Sequence, residues 1–191
     1  MSKGFEEIRL ALLNRNIILL DGEVNAKMVD YAIGCIASLV GRGAPPATIM
    51  IMSSGGDVTA GLDIYDVLSA YPNTLEGIVV AYARSMATVI LQACSKRYSY
   101  EHARIMIHHI SQRQISLDVI RSERRTRALC RDMEVTQDLI YRILSRRTNQ
   151  SVKRVRAVCK RNEDMTAQQA LEFGLIDGIV PVRKDILMTV Q

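Results

Sequence analysis

Three short segments of this 191-residue chain hold residue types that could run acyl chemistry. Ser53-Ser54-Gly55-Gly56-Asp57 pairs two glycines, which tolerate unusual backbone angles and leave amide N–H groups open to an anion or oxyanion. Ala83-Arg84-Ser85-Met86-Ala87 sets a hydroxyl at a strand-to-helix junction, where free amides favour developing negative charge. Arg104 to His109 carries two adjacent histidines; strand alternation puts Met106 and His108 on one face and Ile105, Ile107 and His109 on the other, so only one imidazole can face the serine. Each segment alone also fits a plain structural role: a turn with Asp57 as helix N-cap, a capping serine, and a hydrogen-bonded strand histidine.

The elements that must position these groups follow from apolar periodicity. Phe5 to Leu13 predicts a short amphipathic helix, Ile17 to Leu20 a strand ending at Asp21-Gly22, and Val24 to Val40 a helix before Gly41-Arg42-Gly43. Ala47 to Met52 is a continuous apolar run, followed by the glycine pair and a helix with Ala60, Leu62, Ile64, Val67 and Leu68 inward. Leu75 to Ala81 predicts a third buried strand, Met86 to Ala93 a helix, and Arg104 to His108 a further short strand. Strands apolar on both faces and alternating with helices imply a parallel sheet covered by helices.

From Leu117 to Arg147 the spacing predicts one long polar helix, longer and more charged than an ordinary packing helix. A helix capped by Ser151, another over Ala167 to Phe173 stopped by Gly174, and a closing strand over Ile176 to Val180 complete the pattern.

Composition narrows the function classes. The length and 48% apolar content fit one domain. No apolar stretch approaches the roughly 18 to 20 residues of a membrane span, and the N-terminal residues lack a signal-peptide pattern, so a soluble cytoplasmic protein is expected. Cys35, Cys94, Cys130 and Cys159 form no CxxC pair, and His102, His108 and His109 lack zinc-ligand spacing to them, so reduced thiols and no metal are expected. The net charge of +5 is local: residues 121–161 hold 13 Lys/Arg against 4 Asp/Glu. Nucleic-acid binding there is disfavoured by interspersed acids, a single aromatic (Tyr141) and the absence of a recognised motif.

Taken in order, Ser-Ser-Gly-Gly-Asp-Val-Thr-Ala-Gly-Leu, then Ser-Met, then Arg-Ile-Met-Ile-His, then Met-Thr-Ala-Gln-Gln-Ala-Leu-Glu-Phe-Gly-Leu-Ile-Asp closely resembles the Clp protease proteolytic subunit family over residues 5–181. The resemblance implies a crotonase-like α/β fold of repeated β-β-α and βα units, with a head formed by about 1–108 and 162–191 and a handle by about 109–161. It implies a serine endopeptidase that hydrolyses peptides or unfolded proteins through an acyl-enzyme. Ser85 is then the nucleophile, His108 the general base, and the amides of Gly56 and Met86 the oxyanion hole, without metal or organic cofactor. It also implies self-association into stacked heptameric rings, a tetradecamer joined through the 117–147 handle, with ATP acting only through a separate ATPase unfoldase.

Several positions depart from the family pattern. Asn162 stands where the family has the third triad aspartate, Arg84 where it has a small residue, and Ala87 where it has glycine. An amide oxygen can orient an imidazole as in Cys-His-Asn enzymes, although Asp→Asn in one serine protease triad costs about 10⁴ in rate. His109 to Ile115 replaces the family's glycine-rich strand, and the stretch to Thr148 is several residues longer. The chain begins almost at the family's first helix, without the axial-pore segment, which leaves the unfoldase partnership open. Two rivals follow: a non-catalytic or weakly active ring subunit assembling with an active paralogue, and an acyl-CoA enzyme of crotonase type. The latter does not explain Ser85 and His108 in this order.

Overall fold

The computed structural model describes residues 3–112 and 114–181. Arg113 and the 182–191 part of the expected head lie outside the described residues. The N-terminal half is a run of strand-helix units: α1 (Lys3–Asn14), β1 (Ile17–Val24), α2 (Ala26–Gly41), β2 (Ala47–Gly56), α3 (Val58–Ser69), β3 (Leu75–Arg84) and α4 (Met86–Leu91). β1, β2 and β3 pair in parallel, as their continuous apolar runs require, with Ile18, Leu20, Ile49, Ile51 and Val79 in the core.

Caps fix where the helices begin. Asn25 accepts from the amides of Lys27 and Met28 to start α2, and Asp57 accepts from Ala60 at 2.8 Å to start α3, so Asp57 does have the capping role that its position predicts. β1 runs past Asp21-Gly22 through a register shift, carrying Val24 beside Gly56 instead of into the following helix.

The sheet forks at β3. Glu76 to Val79 pair with β4 (Lys96–Tyr100), which in turn pairs with β7 (Gly178–Val180). Tyr82 to Arg84 pair instead with β5 (Arg104–Met106), and β5 pairs antiparallel with β6 (Met165–Thr166). β4 is invisible to an apolar-run reading because its inward residues are polar: Arg97 is 5% and Ser99 0% exposed. Arg97 donates to both carboxylate oxygens of Asp177, and its guanidinium also reaches Gln92 and the carbonyl oxygen of Arg147. One buried cation thus joins the ends of α4, the long helix and β7.

The expected long helix is divided. α5 (Leu117–Ile120) makes a single turn, and α6 (Glu123–Thr148) restarts after Ser122, whose hydroxyl accepts from the Arg125 amide; a serine there offers a cap that interrupts the periodicity. Half of α6 is exposed, and its last turns bury Ile140, Tyr141, Leu144 and Thr148. α7 (Val152–Cys159) begins at the Ser151 cap, and α8 (Ala167–Phe173) opens with a Thr166–Gln169 capping box. Gly174 ends α8 at φ 90°, and a side chain there would lie 2.7 Å from the Thr148 carbonyl oxygen. The mixed α/β architecture with a long helix is the fold class that the sequence predicts. Among the described residues no helix is long and apolar enough to cross a membrane.

Asp177→Ala leaves the buried Arg97 guanidinium without its charged partner, and an equilibrium unfolding experiment should register a loss of about 2–3 kcal/mol. A loss below about 0.5 kcal/mol would mean that Gln92 and the Arg147 carbonyl hold the cation by themselves.

Candidate active site

Ser85 sits between β3 and α4 with φ 55° and ψ −125°, a conformation that non-glycine residues seldom adopt. Three contacts hold it there. The Ser85 amide donates to the Met106 carbonyl oxygen at 2.9 Å. The hydroxyl of fully buried Thr88 lies 2.7 Å from the Ala83 carbonyl oxygen and 2.8 Å from that of Met106. Gly55 lies against the turn so closely that a side chain there would be 2.6 Å from both the Arg84 carbonyl oxygen and Ser85 Cβ. The buried Ser53 hydroxyl shapes that second turn by accepting from the Gly55 amide at 3.1 Å.

The same bonds that secure Ser85 to Met106 bring it to the imidazole two residues further on. The Ser85 hydroxyl lies 2.7 Å from His108 Nε2, a distance at which it donates to the ring when the ring proton is on Nδ1. Burial, with a smaller contribution from neighbouring His109, pushes the His108 pKa down. His109 faces the other way, edge-on to Tyr141 at 6.1 Å between ring centres.

A cleft of about 490 Å³ opens beside the pair and is lined by Gly56 and Met86 as well as Ser85 and His108. Gly56 cannot carry a side chain, because a Cβ would stand 2.2 Å from the Val24 carbonyl oxygen. The apolar part of the wall is built by Val58, Met86, Val89, Ile107, Ile140 and Leu144, so the buried end of α6 closes the cleft. From His109 to Ser116 the described residues form no strand, and the Ile110 amide donates to Gln137 of α6 at 2.7 Å.

Ser85, His108, Gly56 and Met86 therefore come together around one cleft, as the resemblance implies, and Asn162 is not among its lining residues. Asn162 lies exposed at φ 54° in the connection from α7 to β6, and no hydrogen bond joins it to His108 among the described residues. Nor does any carboxylate contribute to the His108 shift. Arg84 neither reaches into the cleft nor stands free; it makes a two-pronged bond to Asp164, Nε to Oδ1 and Nη2 to Oδ2, both at 2.7 Å. That partner lies 80 residues away and has no local sequence signal. Thr88 is more legible, a hydroxyl three residues into a helix behind the candidate nucleophile. The buried thiols are poor rivals to Ser85, since burial pushes Cys94 and Cys159 each up to about 12.

A parallel sheet that delivers a serine hydroxyl to an imidazole, beside a second turn shaped by glycine, is the kind of arrangement that serine hydrolases working by acyl transfer use. The sequence profile of the Clp protease family matches residues 2–183, and the chain belongs to that family of peptidases. It is 33% identical over 186 residues to the ATP-dependent Clp protease proteolytic subunit of Ligilactobacillus salivarius, covering 94% of this chain and 90% of that protein. It is 30% identical to proteolytic subunit 2 of Thermobifida fusca, covering 97% and 91% of the two chains. Against proteolytic subunit 1 of Streptomyces avermitilis the identity is 29%, over 98% and 86%.

With no carboxylate on the imidazole and burial opposing its charge, His108 stays neutral to lower pH than an ordinary histidine. The acid limb of kcat/KM for peptide hydrolysis should therefore fall below about 6.5. A limb above that value would show that a carboxylate reaches His108 in the working enzyme.

Proposed function

We propose that the protein is a serine endopeptidase of the Clp proteolytic-subunit type, cleaving peptides or unfolded chains through an acyl-enzyme on Ser85. The observation that carries this reading is the 2.7 Å contact between the Ser85 hydroxyl and His108 Nε2. In the first step Ser85 Oγ attacks the scissile carbonyl carbon while its proton passes to His108 Nε2. The amides of Gly56 and Met86 stabilise the resulting oxyanion. His108 then returns the proton to the leaving amine, and a water activated by the same nitrogen hydrolyses the ester. Asn162 is the candidate third member, with an amide oxygen able to accept from His108 Nδ1–H where the two meet.

The apolar wall of the cleft suits an aliphatic or aromatic side chain next to the scissile bond. The chain acts as one head-and-handle unit that self-associates into stacked heptameric rings. Exposed Leu117, Ile120, Val135 and Leu139 on α5 and α6 support a buried role for that surface in the assembly. The names of the relatives, ATP-dependent proteolytic subunits, support an ATPase unfoldase as partner. Three buried, unpaired cysteines suit a reducing compartment, and a cytoplasmic location belongs to the same proposal.

One observation favours a second reading, a weakly active or non-catalytic ring subunit: Asn162 makes no bond to His108. Labelling with a serine-directed fluorophosphonate separates the two. Mass spectrometry should find the adduct on Ser85 and nowhere else, and Ser85→Ala should lose both adduct and peptidase activity. An unlabelled protein, shown to be assembled, would support the second reading instead. Asn162→Asp should raise kcat by at least about tenfold; unchanged kinetics in an enzyme that needs His108 would remove residue 162 from the site.

A further inference from the structure

We propose that the Arg84–Asp164 ion pair is a positioning clamp for the Ser85–His108 couple, an inference that rests on the peptidase reading above. Arg84 is the last residue of β3 and immediately precedes Ser85. It pairs with Met106 on β5, and β5 pairs antiparallel with β6 through Ile105 and Met165. Extending that register by one residue sets Asp164 opposite Met106. Arg84, Met106 and Asp164 thus form a row across three neighbouring chain segments, spanning about 10 Å between its ends. An arginine and an aspartate reaching toward each other can close that gap.

The row lies where the site is assembled. Its first member adjoins the nucleophile, its second is two residues before His108, and its third is two residues after Asn162. The central segment ends in the imidazole, so tying the outer two together fixes the strand ends across the Ser85–His108 contact. A bidentate arginine-carboxylate pair fixes orientation as well as distance. Bonding to Arg84 holds the Asp164 carboxyl below the usual range, so the pair is fully charged at neutral pH.

Neither member lines the cleft beside Ser85. Side-chain exposures of 33% and 35% leave the pair open to solvent screening, which limits its worth to overall stability and leaves geometry as its contribution. A clamp that acts through other groups should change the rate of acylation and leave substrate binding alone.

The test compares fluorophosphonate labelling of Ser85 in the assembled wild type, Arg84→Ala, Asp164→Ala and the double variant, with kcat and KM for a peptide measured in parallel. Each single change should slow labelling and lower kcat by about tenfold to a hundredfold, with KM within about twofold of wild type. The double variant should be no slower than the singles, because both remove the same contact. Arg84→Lys, which retains charge but not the two-pronged bond, should fall between wild type and Arg84→Ala; it and Asp164→Asn carry the test should the alanine variants not fold. Labelling within about twofold of wild type in the single variants, or losses that multiply in the double variant, would overturn the clamp while leaving the peptidase reading intact. Failure of the wild type itself to label would overturn both.

Discussion

The backbone turn at Ser85 is the constraint on which the rest of the site depends. A non-glycine residue at φ 55° and ψ −125° costs on the order of 1–3 kcal/mol and persists only if its surroundings over-determine it. They do so from three sides. β5 supplies the Met106 carbonyl oxygen to the Ser85 amide, Thr88 braces the turn from inside α4, and Gly55 closes against it from β2. The Met106 contact needs β3 to change partners, from β4 over Glu76 to Val79 to β5 over Tyr82 to Arg84. The fork in the sheet is therefore what makes the site possible. A sheet that continued with β4 alongside β3 to its end would give Ser85 no Met106 carbonyl and no histidine.

Charge is arranged around this frame and kept off the imidazole. Two bidentate arginine-carboxylate pairs with long sequence separation, Arg84–Asp164 and Arg97–Asp177, each join a strand of the central sheet to the returning C-terminal segment. Arg97 is buried and also bonded to Gln92 and Arg147, so it fixes where the segment after α8 rejoins the sheet. Arg84 is partly exposed and sits at the other end of the fork. Between them they set the position of the loop carrying Asn162 without placing an acid on His108.

Those parts of the fold were legible in the sequence whose physics is local. Apolar runs fixed β1, β2 and β3, and the Asp57 and Ser151 caps marked two helix starts. β4 was not legible because its buried positions are Arg97 and Ser99, an inversion of the usual pattern that only the distant Asp177 makes tolerable. The division between α5 and α6 turns on one serine hydroxyl competing for a backbone amide, an event too local to disturb a long periodicity. At the site, residue types and their order pointed to Ser85, His108, Gly56 and Met86. The pairing of Arg84 with Asp164 could not be read, since nothing in either neighbourhood announces a partner 80 residues away.

Lacking a carboxylate, the site has a particular energetic consequence. In a Ser-His-Asp arrangement the buried acid both orients the imidazole and stabilises the imidazolium that forms as the serine proton is taken. Here burial and His109 push the imidazole toward its neutral form, so the base is available at neutral pH but its protonated state is less favoured in the transition state. An amide at residue 162 can supply orientation but no negative charge. On the proposed peptidase reading, transition-state stabilisation comes in larger share from the backbone amides of Gly56 and Met86 and from the accuracy with which Ser85 and His108 are held. On this reading the strained turn, the buried Thr88 hydroxyl and the glycines that let two turns touch are where this chain's catalytic power resides. Errors of position at Ser85 should therefore be less well tolerated here than in a relative whose histidine has a carboxylate behind it.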